Sequence, residues 1–217
     1  MGISLRKGQG VSLKKDENDL STLTIGLGWD VVERKGGSFL GNLFGKKDEK
    51  DFDLDAVAFL LDKSGKLADL GTVSNGKYSL TDGDIVFYNS MKHPSGKIWL
   101  TGDNRTGAGD GDDEQIVVKL NEIPDKYESI VFIVAIYQGR ENRQSFGSVS
   151  NAFIRAVDGK GKELARYDIS GDASFSRYHS ITFARVKRNG RSWTFEAIGT
   201  PHETDRIAEL LQDYLPQ

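Results

Sequence analysis

The sequence predicts a mainly β protein, an antiparallel β-sandwich of two sheets with a C-terminal helix. Three observations carry this. The apolar runs are short and several alternate with period two, glycine-containing turns separate many of them, and clear helical periodicity is confined to the last stretch. The chain has 217 residues, 37% hydrophobic and 28% charged, which suits a single domain over 1–217 with one core.

Taken in order, "TLTIGLGW" (22–29) alternates Leu23, Ile25, Leu27 and Trp29 against threonines and glycines, the pattern of a half-buried strand. "AVAFLLD" (56–62) reads as a buried strand ending in the turn "KSGK". "DIVFYN" (84–89), "GKIWL" (96–100), "EQIVVKL" (114–120) and "SIVFIVAIY" (129–137) continue the series. "NAFIRAVD" (151–158) and "KELARYDI" (162–169) flank a hairpin loop, "DGKGK". "HSITFARVKR" (179–188) and "SWTFEAIG" (192–199) flank another, "RNGR".

The helix is expected over 200–215, "TPHETDRIAELLQDYL". Thr200 suits an N-cap, Pro201 the first helical position, and Glu203 the reach-back acid of a capping box. Ile207, Leu210, Leu211 and Tyr214 then share one face, to be docked on the sandwich or offered to a partner. A second short helix is expected near "GRENRQSFG" (139–147). Residues 36–50, "GGSFLGNLFGKKDEK", break the strand series and read as an inserted loop. Its Phe39, Leu40, Leu43 and Phe44 either fold back on the domain or present an apolar patch to a membrane or a partner.

The formal net charge is −3, which argues against a nucleic-acid partner, and there is no cysteine. Disulfides, thiolate metal sites and cysteine nucleophiles are thereby excluded. The opening "MGISLRKGQGVSL" has no apolar h-region, so no signal peptide is expected, and no stretch has the roughly 20 apolar residues of a membrane span. A cytoplasmic protein is the expectation.

Acidic residues gather in three places: Asp30 at the end of "GLGWD"; Asp51, Asp53 and Asp55 in "DFDLDA"; and the run "GDNRTGAGDGDDEQI" from residue 102. In an extended chain Asp51, Asp53 and Asp55 point one way, and their charges repel unless a cation lies between them or they splay into solvent. His93, His179 and His202 are isolated in sequence, so a zinc or copper site of ordinary type is not expected. Carboxylates with glycine-rich backbone carbonyls suit Ca²⁺, which takes six to eight oxygens in flexible geometry. Asp103 and Glu114 stand at positions 1 and 12 of an EF-hand outline, but Arg105, Gly107 and Ala108 occupy its positions 3, 5 and 6, and both flanks read as strands. A strand–loop–strand calcium site and a solvated loop both stay open on the residues alone.

"GVSLKK", "TIGLGWD", "DFDLDA", "FYN", "TGDNRTGAGDGDDEQI", "SIVFIVAIY", "NAFIRAVD" and "ELARYDIS" occur in that order. Together they resemble the TerD-type tellurium-resistance domain of bacteria, from about residue 2 to 199. The resemblance implies a cytoplasmic β-sandwich that binds calcium through loops at one end and acts in tellurite and chemical-stress resistance. It implies as ligands Asp30, Asp53, Asp55, Asp103, Asn104, Asp112, Asp113 and Glu114. It also implies work near the membrane, with other tellurium-resistance proteins and an integral membrane partner. The 36–50 insertion departs from the family's usual short loop. No enzymatic activity is expected. The alternative is a metal-dependent hydrolase using the clustered carboxylates, but no base, P-loop or nucleophile motif accompanies them, and "GSVSN" (147–151) lacks the final glycine of a nucleophile elbow.

Overall fold

The computed structural model describes residues 3–4, 6–13, 17–31, 52–101, 111–169, 173–190 and 192–216. The insertion at 36–50, with its four apolar residues, lies outside them.

Fourteen strands are described in chain order: β1 (Ile3–Ser4), β2 (Gly10–Leu13), β3 (Leu23–Val31), β4 (Leu54–Leu61), β5 (Val73–Ser74), β6 (Lys77–Tyr78), β7 (Ile85–Val86), β8 (Ile98–Leu100), β9 (Glu114–Val118), β10 (Ser129–Ile136), β11 (Val149–Asp158), β12 (Glu163–Asp168), β13 (Ser180–Asn189) and β14 (Ser192–His202). One six-stranded sheet runs β1-β12-β11-β3-β9-β8. The other runs β2-β14-β13-β10-β4-β7, and β5 and β6 form a small hairpin apart. All pairings are antiparallel except β1 with β12. The sandwich expected from the sequence is therefore present. The expected hairpins at 158–162 and 188–191 join β11 to β12 and β13 to β14. The expected short helix is α1 (Gly139–Asn142).

The core follows from the strand period. Leu23, Ile25, Leu27 and Trp29 of β3 face Leu54, Ala56, Ala58 and Leu60 of β4 within one cluster between the sheets. The central strands β4 and β10 are buried along their whole length, so both their faces must be covered. The second cover is a smaller apolar cluster on the outer face of that sheet. There Val57, Phe59 and Leu61 meet Val131, Ile133, Leu67 and the C-terminal segment.

That segment differs from expectation in extent. Residues 200–202 continue β14, with Thr200 opposite Thr182 and Pro201 opposite Ile181. The helix α2 is only Ile207–Leu210, and a 3₁₀ turn follows at Gln212–Tyr214. Pro201 is tolerated in a strand because β2 pairs β14 only as far as Glu196, leaving the edge open beyond it. The expected apolar face holds: Leu210 and Leu211 are buried, and the Tyr214 ring stands edge-on to Phe59 at 5.4 Å.

The chain between β4 and β8 is pinned by one carboxylate. Asp84, 2% exposed, accepts from the backbone N–H groups of Ala68 (3.0 Å) and Asp69 (2.9 Å) and from the Tyr127 hydroxyl. The two N–H groups meet Oδ2, while the Tyr127 hydroxyl shares Oδ1 with His93 Nε2, which lies 3.4 Å away. Burial pushes the Asp84 carboxyl up, but the hydrogen bonds from His93, Tyr127 and Asp69 outweigh it and hold it below the usual carboxylate range. An acid so held stabilises the fold above its unfolded value and loses that contribution as pH falls through its folded value, below about 4. Asp84→Ala strips several buried donors of their acceptor. It should cost about 3 kcal/mol or more, read as a lower melting midpoint at neutral pH and a weaker dependence on pH in acid.

Candidate metal centre

The predicted ligands among the described residues lie at one end of the sandwich, where β3 and β10 finish and β4, β9 and β11 begin. The local arrangement starts from two glycines. On β3, Gly26 and Gly28 point away from the core, opposite in parity to Leu27 and Trp29. A Cβ on Gly26 would sit 2.1 Å from Asp112 Oδ2, and one on Gly28 would sit 2.6 Å from the carbonyl oxygen of Gly111. The segment entering β9 therefore lies directly over β3, and only glycine leaves room for it. This is the physical content of the "GLGW" pattern.

Asp112 is locked in that position. Arg155 stands opposite Gly26 on β11, and Gln115 stands opposite it on β9. Arg155 Nε donates to Asp112 Oδ1 at 2.7 Å and Gln115 Nε2 to Oδ2 at 3.1 Å, leaving the Asp112 side chain 2% exposed. Asp113 accepts from the Trp29 backbone N–H at 2.9 Å. Burial pushes its carboxyl above the usual range, the Trp29 bond opposes this, and the charges of Asp30 and Asp112 add to the rise. Asp30 is exposed at the end of β3 and accepts from Asn151 Nδ2 at 2.6 Å. Asn151 can reach it because β11 bulges there, between Ser150 and Phe153, with Asn151 at φ 49°.

Glu114 points the other way, between the sheets. It is 1% exposed, and its Oε2 accepts from the Ala56 backbone N–H of β4 at 2.7 Å. Beyond Ala58, β7 no longer pairs with β4, so this N–H needs a partner from elsewhere. Asp55 shares its parity with Val57 and Phe59 and lines a pocket on the outer face of the second sheet. Asp53 precedes it, and its backbone carbonyl accepts from the Tyr137 N–H at 2.8 Å. Burial raises the Tyr88 hydroxyl, and the charges of Asp55, Tyr137 and Asp53 add to this.

Six of the eight predicted ligands thus share one end of the molecule but face three ways: Asp30, Asp112 and Asp113 over the first sheet, Glu114 between the sheets, and Asp53 and Asp55 toward the second sheet. Asp103 and Asn104 lie outside the described residues, as does Asp51. Among the described residues no group of three or more His, Cys, Asp or Glu is arranged to hold a metal ion. The oxygen-only donors at this end fit a hard cation in their chemistry, and the charge of Asp30 adds to the rise of the Asp113 carboxyl. Arg155, Gln115 and Asn151 were not expected here. Arg155 has an outward parity in "NAFIRAVD", but nothing in that stretch says that it meets Asp112.

Two stacked six-stranded sheets define a β-sandwich whose acidic, glycine-dependent segments gather at one end. The chain belongs to the TerD domain family, which matches residues 1–214. It is 57% identical over 215 residues to the tellurium resistance protein TerX of Serratia marcescens, covering 99% of this chain and 100% of that one. It is 40% identical over 200 residues to TerD of Alcaligenes sp, covering 92% and 90%. A general stress protein of Bacillus subtilis (strain 168) is 38% identical over 215 residues, covering 99% and 97%. The crystal structure of a TerD homologue from Streptomyces coelicolor A3(2) superposes with a TM-score of 0.63 at 19% identity, over 90% of this chain and 99% of that one. That likeness concerns the fold.

Gly28→Ala tests the close approach over β3. The added methyl meets both the Phe153 ring, at 2.5 Å, and the Gly111 carbonyl oxygen, at 2.6 Å, so the ring and the 111–113 segment must both shift. A loss of ~1–3 kcal/mol is expected in denaturant unfolding, whereas the same substitution at Gly10, whose nearest neighbour atom is 3.3 Å from the added methyl, should cost less.

Proposed function

We propose that this protein is a calcium-binding stress-response protein that contributes to resistance against tellurite and other chemical stress. The observation that carries the calcium reading is the Asp30–Asp113 neighbourhood. Asp113 is held on the Trp29 N–H one residue from Asp30, and beside burial the Asp30 charge adds to the rise of the Asp113 carboxyl. A divalent cation there would supply the missing positive charge, and carboxylate oxygens favour calcium over softer metals.

The proposed ligands are Asp30 and Asp113, joined by Asp103 and Asn104 from the chain that precedes Gly111. Asp112 and Glu114 act as holders. The first is fastened to Arg155 and Gln115, the second to the Ala56 N–H, and together they fix the backbone that presents Asp113. Asp53 and Asp55, on the opposite sheet, stand outside this minimal set. The stress role is supported by the names of the relatives, which include tellurium-resistance and general stress proteins. In this reading the protein is cytoplasmic and works through partners, other tellurium-resistance proteins and an integral membrane protein among them. No helix among the described residues is long and apolar enough to cross a membrane. The apolar residues of the insertion, Phe39, Leu40, Leu43 and Phe44, are the proposed point of membrane-surface contact.

An acid whose folded value is raised binds more protons folded than unfolded. Metal-free stability should therefore fall as pH rises through the Asp113 titration, above about 4. Asp113→Asn keeps an oxygen for the Trp29 N–H and removes the charge. The metal-free variant should melt no lower than the parent at pH 7, and the rise in melting midpoint on adding calcium should disappear. Calorimetry of the parent that shows no heat with millimolar calcium would sink the reading.

A further inference from the structure

The outer face of the second sheet carries a pocket of about 670 Å³.

 A smaller pocket, of about 470 Å³, lies at the opposite end of the sandwich, beside Asp19, Asp158 and Lys162.

The larger pocket is assembled from four separate stretches of chain: the start of β4, the segment before β8, the end of β10 with α1, and the approach to α2. Its volume falls within the range of small-molecule sites. Its lining includes Asp55, Leu80, Phe87, Tyr88, Tyr137 and Ile207. Tyr88 stands edge-on to Tyr137 at 5.7 Å and to Phe87 at 5.2 Å, which makes a continuous aromatic wall. Tyr137 is 39% exposed, so part of its ring is uncovered. Asp55, by contrast, is 6% exposed.

The charges are graded by depth. The buried one is the Asp55 carboxylate. Arg140 and Arg206 are exposed, and Arg206 lies 3.6 Å from Glu209. Glu141 and Asp205 add two more acids to the lining, so acids outnumber bases by three to two. Aromatic faces beside a carboxylate attract an organic cation twice over, by ring quadrupole and by charge, and the apolar wall takes its alkyl groups.

We propose that this pocket binds a small organic cation, an alkylammonium or quaternary ammonium group, with its charge directed to Asp55 and its alkyl groups against Tyr88 and Tyr137. The site is separate from the Asp30–Asp113 pair and does not depend on the calcium reading.

The test is calorimetric titration of the full chain with choline, and with 3,3-dimethylbutanol, which has the same shape and no charge. Choline should bind and the alcohol should bind at least about tenfold more weakly. Tyr137→Leu keeps an apolar surface and removes the π face. It should weaken choline about three- to tenfold with little change in melting midpoint. Asp55→Asn should weaken it further. Absence of choline binding at millimolar concentration overturns the proposal. So does equal binding of the alcohol, or choline binding that Tyr137→Leu leaves unchanged.

Discussion

The end of the sandwich that carries the acids is organised by a close approach: residues 111–113 cross β3 where Gly26 and Gly28 have no side chains. Steric room is the first requirement, since any Cβ at either position would overlap Asp112 or Gly111. Electrostatics then holds what sterics permits. Arg155 and Gln115, aligned on either side of Gly26 by strand register, fasten the Asp112 carboxylate. With Asp112 fixed, the next two residues have little choice of direction. Asp113 turns to the Trp29 N–H, and Glu114 passes between the sheets to the Ala56 N–H. Three consecutive acids thus fasten to three different strands: Asp112 to β11, Asp113 to β3 and Glu114 to β4.

The other half of the molecule solves a different problem. β4 and β10 are apolar on both faces, so one sandwich interface does not suffice. The chain between β4 and β8 and the C-terminal segment supply the second cover. The first is anchored by the Asp84 carboxylate, the second by Leu210, Leu211 and Tyr214. The same two segments form walls of the pocket that holds Asp55 and Tyr88. Burial of the second face and the existence of the pocket are consequences of one packing arrangement.

Much of the fold was legible because period-two alternation directly reflects which side chains must leave water. The long strands and both hairpin loops were readable in this way. The weak points have physical causes. The capping signals at Thr200, Pro201 and Glu203 are local, and pairing with β13 outweighs them through Ile181 and Thr182. The paired strands β5 and β6 are two residues each, too short to show any period. The tidy spacing of Asp53 and Asp55 indicated a shared direction but not which sheet would own it.

The sequence by itself determined the β-sandwich, the C-terminal apolar face and the acidic, glycine-containing segments, because these depend on local periodicity and residue type. Only the tertiary structure decided which acids meet. Arg155 reaches Asp112 across 43 residues of chain, and Glu114 reaches Ala56 across 58. Strand register and the stacking of two sheets set those meetings, and neither is written in any single run of residues.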